Sequence, residues 1–247
     1  MSTDLLAPLA RLISTAEAIE ELRDLFAAEE PLDDIAARVA KTALAAIPNA
    51  DAVSITALSW PDTRTAASTH ECALELDHHQ YASGRGPCLE ATWRRTPVRA
   101  AIGEDLQRWP EFVEAARRMG IRASLSVPLL VGTLDEKQEL LGSLNIYSKT
   151  ASAFDPFDAQ LMRLYTAAAG QAISNAGRWQ DSRETVTQLE KALLSRSDID
   201  MAKGALIALH GCDPGEAFAR LVEESQRRNI KVRDLAVEML DRLQATA

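Results

Sequence analysis

Between Pro156 and Pro214 the chain contains no proline, and that interval constrains the fold more than any other feature. Proline removes a backbone donor and clashes with the preceding turn, so without it one helix can run on. Asp155-Pro156-Phe157-Asp158 supplies the start, with an Asp to cap, a Pro at the first position and an acid beside the dipole. Leu161, Leu164, Ala168, Ala172, Ala176, Trp179, Val186, Leu189 and Leu193 follow at helical spacing, broken mainly around the polar stretch Gln180–Thr185. A pattern of this length exceeds what one globular helix needs and predicts a coiled-coil segment. We read 177–195 as a helical stalk that joins two domains and pairs two chains. The alternative is two helices with a flexible polar joint.

Upstream of this stretch the pattern is mixed. Leu5, Leu9, Leu12, Ile13 and Ala16 recur at helical spacing, as do Leu32, Ile35, Ala36, Val39, Ala43 and Leu44, until Pro48-Asn49 ends the second helix. From Asp51 the period shortens. DAVSITAL (51–58) and RTAASTH (64–70) read as strands around the turn-prone Trp60-Pro61-Asp62, and a region of loops and short helices follows. Trp109-Pro110 opens a helix that Gly120 stops, and strands are expected over 121–131 and 141–148, joined by the polar segment Thr133–Glu139. Helices, strands, short helices, strands and a helix in that order predict an α+β domain with an antiparallel sheet flanked by helices.

Downstream, three amphipathic helices predict a small all-α bundle. The first carries Ile199, Ala202, Leu206 and Leu209 and ends at His210-Gly211. The second starts at Asp213-Pro214-Gly215-Glu216, with Asp as cap and Glu at the capping-box position. The third carries Val232, Leu235, Ala236, Met239, Leu240 and Leu243. Gly204 inside the first helix costs about 1 kcal/mol against alanine, which suggests another helix passing close by.

Charge narrows the function. The net charge is −9, so the chain as a whole repels nucleic acid. Residues 193–247 are more balanced, with 8 basic against 9 acidic residues, and any nucleic-acid contact belongs there, on a local patch. Arg196 and Lys203 are seven residues apart and project nearly in line; Arg227 and Arg228 close the second helix, and Lys231 and Arg233 open the third. Cys72, Cys88 and Cys212 give neither a disulfide framework nor zinc spacing, and His78-His79 are adjacent rather than a chelating pair. No phosphate loop, dinucleotide fingerprint or nucleophile elbow is present, so an enzyme is not expected. No run reaches a membrane span and no signal segment opens the chain, so a cytoplasmic location and no membrane partner are expected.

Two sets of residues carry a family resemblance. Ala192-Leu193, Ser195-Arg196, Ile199, Ala202-Lys203-Gly204, Glu216-Ala217-Phe218, Leu221 and Lys231-Val232-Arg233-Asp234-Leu235-Ala236 resemble the signature of the ANTAR module. One departure is Met201, where many relatives carry glutamine. Arg64–Thr69, Asp77, Gln80-Tyr81, Gly84–Ala91, Trp109–Phe112, Ser126–Leu129, Gly142–Tyr147 and Ala153–Asp155 resemble a GAF domain of the subtype that precedes ANTAR in actinobacterial regulators. The resemblance implies helices over 1–48 packing with a GAF sensory domain over 49–176, a helical coiled-coil linker over 177–195 and an RNA-binding three-helix bundle over 196–247. It further implies a signal-responsive antiterminator that binds paired hairpin loops in nascent mRNA leaders, acts as a homodimer and takes a small-molecule effector of unknown identity, with no cofactor otherwise. Arg196, Lys203, Arg227, Arg228, Lys231 and Arg233 are then the candidate RNA contacts. Tyr81, Arg85 and Cys88 are the candidate ligand or redox sensors. Cys88 has two readings, a thiol activated by its helix start and by Arg85, or a small buried residue at a turn. The competing function is a ligand- or redox-sensing dimer whose C-terminal bundle binds a protein; a DNA-binding helix-turn-helix ranks third.

Overall fold

The computed structural model describes residues 6–59, 62–132 and 138–244. The expected turn at Trp60-Pro61, most of the Thr133–Glu139 segment and Leu5 lie outside the described residues. Contacts divide the chain into two compact units, Met1–Gln180 and Asp181–Ala247. No helix among the described residues is long and apolar enough to cross a membrane.

The first unit opens with helices α1 (Leu6–Glu21), a short 3-10 turn (Leu22–Leu25) and α2 (Leu32–Ala46). Strands β1 (Ala52–Ser59) and β2 (Asp62–Ser68) precede helices α3 (Glu71–Ser83) and α4 (Pro87–Arg94). Strand β3 (Val98–Ala101), helix α5 (Pro110–Arg118) and strands β4 (Ala123–Val131) and β5 (Glu139–Ser148) complete the sheet. All neighbours pair antiparallel in the order β2-β1-β5-β4-β3.

Strand side chains alternate between faces, and here both faces are buried. Val53, Ile55, Leu125, Val127, Leu129, Leu144 and Ile146 form one core with α2 and with Leu161, Met162, Tyr165, Ala169 and Ala172 of the following helix. Burying each large apolar side chain contributes roughly 1.5–3 kcal/mol. The opposite face carries Ser54, Thr56, Ser124, Ser126, Ser143, Asn145 and Tyr147, all buried. Helices α3, α4 and α5 supply its cover, through Ala73, Leu76, Ala91 and Phe112. Gly142 makes the β1–β5 junction possible: at its φ of +155°, a Cβ would stand 1.8 Å from the Thr56 carbonyl oxygen.

Leu9, Leu12 and Ile13, which recur at helical spacing, are exposed; α1 instead buries Thr15 and Ala18, and Leu22 and Leu25 of the following turn are buried as well. The four-residue strand β3 was not anticipated. It is held by pairing with the free edge of β4, from Val98↔Ser126 to Ala101↔Ala123.

Helix α6 (Pro156–His210) runs 55 residues across the division between the units and does not stop at Gln180–Thr185. Polar residues there change the helix surface without removing a backbone donor, so the ladder continues. Asp155 caps its start by accepting from the Phe157 and Asp158 amides at 2.8 and 2.9 Å, and Arg11 of α1 pairs with both Asp155 and Asp158.

In the second unit the end of α6 packs with α7 (Pro214–Arg228) and α8 (Val232–Gln244). Asp213 caps α7, accepting from the Gly215 and Glu216 amides at 2.7 and 2.9 Å. Ala202, Leu221, Leu235 and Ala236 form the buried centre, flanked by Ile199, Leu206, Val232, Met239 and Leu240. The expectation that a helix passes close to Gly204 is wrong: a Cβ there would meet nothing within 4 Å.

Candidate functional site

The polar sheet face of the first unit holds a closed hydrogen-bond network centred on Asp77, a buried residue of α3. The Tyr147 hydroxyl donates to Asp77 Oδ1 at 2.6 Å and the Thr65 hydroxyl to Oδ2 at 2.9 Å. An ionised carboxylate only accepts, so the Thr65 proton is committed, and Tyr81 must donate to Thr65 across 3.1 Å. Tyr81 then accepts from Thr56 at 2.9 Å, and Thr56 from Asn145 Nδ2 at 2.9 Å. Asn145 is held by Ser143, which donates to its Oδ1 at 3.0 Å, and reaches Ser54 at 3.2 Å. Gln80 bridges the strands to α4, donating to the Tyr147 hydroxyl at 3.3 Å and accepting from the Cys88 amide at 2.9 Å. Gly86 makes room for this bridge, since a Cβ at its φ of +159° would stand 2.3 Å from Gln80 Oε1.

Burial sets the electrostatics. Loss of water pushes the Asp77 carboxyl up to about 6, against the opposing hydrogen bonds from Tyr147, Ser54 and Thr65. Burial and the neighbouring Asp77 charge also raise the Tyr147 and Cys88 groups. Cys88 is therefore a neutral thiol at neutral pH: desolvation overrides the helix-start effect that would activate it. Two further hydroxyls, those of Ser124 and Ser126 on β4, are buried with no partner. An unpaired buried hydroxyl costs about 1–3 kcal/mol, so each serine leaves an unmet hydrogen bond on this face.

Of the three candidate sensors, Tyr81 and Cys88 border this network and Arg85 does not. Arg85 is exposed and donates to the Arg108 carbonyl at 3.2 Å. The rest of the network escaped the sequence reading. Its trace is the alternation of Ser54, Thr56, Ser143, Asn145 and Tyr147 with Val53, Ile55, Leu144 and Ile146, which reads equally well as a half-exposed sheet. His70 caps α3, accepting from the Cys72 amide, and among the described residues no cluster of three or more metal-ligating side chains exists.

In the second unit the basic residues fall into separate groups. Arg196 and Lys203 flank Asp200 at 3.8 and 2.9 Å on one side of α6. Arg233 pairs with Asp198 at 3.6 Å. At about 100° per residue, Asp198 lies roughly 160° around the helix from Arg196 and roughly 140° from Lys203, so Arg233 is held on the other flank of the core seam. Lys231, beside it, is exposed and has no partner among the described residues. Arg227 pairs with Glu224 at 2.6 Å, and Arg228 shares Glu238 with Arg242. Arg220 and Arg242 were missed by the sequence reading. They line, with Arg228, a groove of about 430 Å³ whose floor includes Leu206, Leu221 and Met239. The spacings Arg220–Glu224 and Glu238–Arg242 are the one sequence signal they offered. Exposed pairs of this kind contribute little to stability, so their cations can exchange a carboxylate for a phosphate at low cost.

The GAF domain family matches residues 31–173, more than half of the chain, and the ANTAR domain family matches residues 187–240. The GAF match takes in α2, which the sequence reading kept outside that domain. Among solved structures the chain is similar to a putative GAF sensor protein from Burkholderia vietnamiensis, at 16% identity over 71% of this chain and 94% of that one, with a TM-score of 0.48. It is similar also to the GAF domain of a phosphoenolpyruvate-protein phosphotransferase from Coxiella burnetii (18% identity, 68% and 96% covered, TM-score 0.49). A third is fRMsr of Staphylococcus aureus in its reduced form (14% identity, 64% and 94% covered, TM-score 0.49). No curated relative matches the chain.

Proposed function

The chain belongs to the GAF domain family and carries an ANTAR domain after it, and from that premise we propose a signal-responsive antiterminator that binds paired hairpin loops in nascent mRNA leaders. Such an architecture is that of a sensor and regulator, not an enzyme. The observation that carries the reading is the ANTAR match over α6–α8 together with exposed or half-buried, weakly paired cations on those same helices. Arg196 and Lys203 form one contact surface, Lys231 and Arg233 a second, and Arg227 and Arg228 a third. RNA loops offer phosphates and splayed bases to such surfaces. The domain limits 177–195 for the linker and 196–247 for the RNA-binding module belong to this proposal, as does a cytoplasmic location.

We assign the active form as a homodimer. Val186, Leu189 and Leu193 on α6 are exposed, as are Leu9, Leu12 and Ile13 on α1. Apolar residues at helical spacing left in water are what a second chain covers. Two bundles then engage two loops, and avidity supplies affinity that one module lacks. The polar sheet face around Asp77, with its two unpaired serine hydroxyls, is the effector site in this scheme.

The test is fluorescence anisotropy with a two-hairpin RNA across a salt series. Each phosphate contact contributes roughly 0.7 to the slope of log affinity against log salt. Arg196→Ala and Lys203→Ala should each weaken binding and flatten that slope, while Arg23→Ala should not. If the bundle variants bind like the parent, the alternative gains: a protein partner seated in the apolar groove between α7 and α8.

A further inference from the structure

A second concave site lies on the outer side of α4, away from the buried network. Trp93 is the most exposed large apolar side chain among the described residues, at 82%. On α4 it shares a strip with Leu89, Glu90 and Arg94, and this strip borders a cleft of about 570 Å³ that Arg85, Arg108 and Trp109 also line. Clefts of roughly 300–1,000 Å³ are the usual size for small-molecule sites.

The cations in this cleft are positioned before any ligand arrives. The Arg108 guanidinium lies 4.2 Å from the centre of the buried Trp109 ring. It is fixed from the side by Glu90, to which Nε donates at 3.1 Å, and Glu90 also holds Arg94 at 2.8 Å. Arg85 is tied only to a backbone carbonyl, that of Arg108, which leaves its charge uncompensated. Three guanidinium groups thus line the cleft, and its acids are Glu90, paired with Arg94 and Arg108, and a more distant Asp105, 3.9 Å from Arg108. The cleft keeps an excess of positive charge in a unit whose residues 1–180 hold 17 basic against 24 acidic side chains.

From this geometry we infer that the cleft binds a nucleoside phosphate, its base stacked on Trp93 and its phosphate held by Arg85 and Arg94. The pairing of features selects the class. A bare anion has no use for an open indole, and a neutral aromatic has none for uncompensated guanidinium. A lipid surface or a flat protein interface would need a contiguous apolar patch, whereas the residues that follow Trp93 are the exposed Arg94, Arg95 and Thr96. Indole faces accept any base by stacking, and guanidinium forks match phosphate oxygens. Free nucleotide and single-stranded RNA share this chemistry. The inference does not rest on RNA binding by the bundle.

The full-length protein serves for the test, read by tryptophan fluorescence and by calorimetry. AMP should quench the fluorescence saturably, adenosine and inorganic phosphate more weakly. Trp93→Phe should remove the quench while leaving the melting temperature unchanged, because the ring packs against little. Trp93→Ala and Arg85→Ala should each weaken AMP binding roughly tenfold, the scale of one lost stacking or charge contact. A short oligo(A) run on the Arg196→Ala, Lys203→Ala double variant separates the sources. If oligo(A) quenches Trp93 at far lower concentration than AMP there, the cleft's ligand is RNA; if the two are comparable, it is a free nucleotide. The inference is overturned if neither quenches Trp93, or if poly-glutamate quenches it and AMP does not, which would assign the cleft to an acidic protein.

Discussion

Replacing Asp77 by asparagine should make the protein more stable at alkaline pH than the parent, by an amount that shrinks as the solution is acidified. Asp77 is buried and its carboxyl is pushed from 3.8 to about 6 by loss of water. The folded chain therefore holds this proton more tightly than the unfolded chain does. The stability this contributes is fully present below about pH 4 and is lost as pH rises through about 6. A displacement of about two pKa units corresponds to about 3 kcal/mol. Roughly half of it falls between pH 5 and pH 8, because the unfolded carboxyl is already largely ionised at pH 5. The Asp77→Asn change removes the titration and keeps the shape: the amide carbonyl still accepts from Tyr147, and Thr65 rotates to accept from the new amide nitrogen. Parent and variant are melted side by side by circular dichroism at several pH values, so that all other titrations cancel in the difference. For a unit of this size the gap in Tm should widen by about 3–6 °C from pH 5 to pH 8. A gap that stays constant with pH would place the Asp77 charge in a far better solvated site than its burial implies.

Three other outcomes follow from the same structure. Leu189→Glu with Leu193→Glu, at positions 59% and 68% exposed in the single chain, should give monomers in sedimentation without loss of helicity; an unchanged dimer would move the interface to α1 or elsewhere in the first unit. Iodoacetamide should label the half-buried Cys72 well before the buried Cys88, and Cys88 labelling as fast in native protein as in urea would contradict its burial. Gly204→Ala should raise stability by about 1 kcal/mol in urea melts, since the added methyl meets nothing and the helix gains propensity; a loss of stability would show that something does approach that glycine.

Features with local physical signals were legible in the sequence. Asp213 before Pro214 caps α7 through its own side chain, Asp155 caps α6, and Gly120 and Gly211 adopt the left-handed conformations that end helices. The proline-free interval became one helix. Features that depend on what covers a surface were not legible. Leu9, Leu12 and Ile13 have the same spacing whether they face a core or a partner. The serine and asparagine positions of β1, β4 and β5 alternate as an exposed face would, and only the presence of α3 and α4 above them makes a buried network. The basic residues of the bundle were identifiable by type, but Arg233 was placed by its ion pair from α8 to Asp198 on α6, which spacing along one helix does not encode.

Whether the bundle reads RNA hairpins is tested by crosslinking the protein to RNA in cells and sequencing what is bound. The parent should enrich leader segments that form two adjacent hairpins ahead of a terminator, and the Arg196→Ala, Lys203→Ala double variant should lose that enrichment while remaining folded. Recovery of no RNA class above background, or equal recovery by the double variant, would show that the bundle does not read RNA hairpins through these residues.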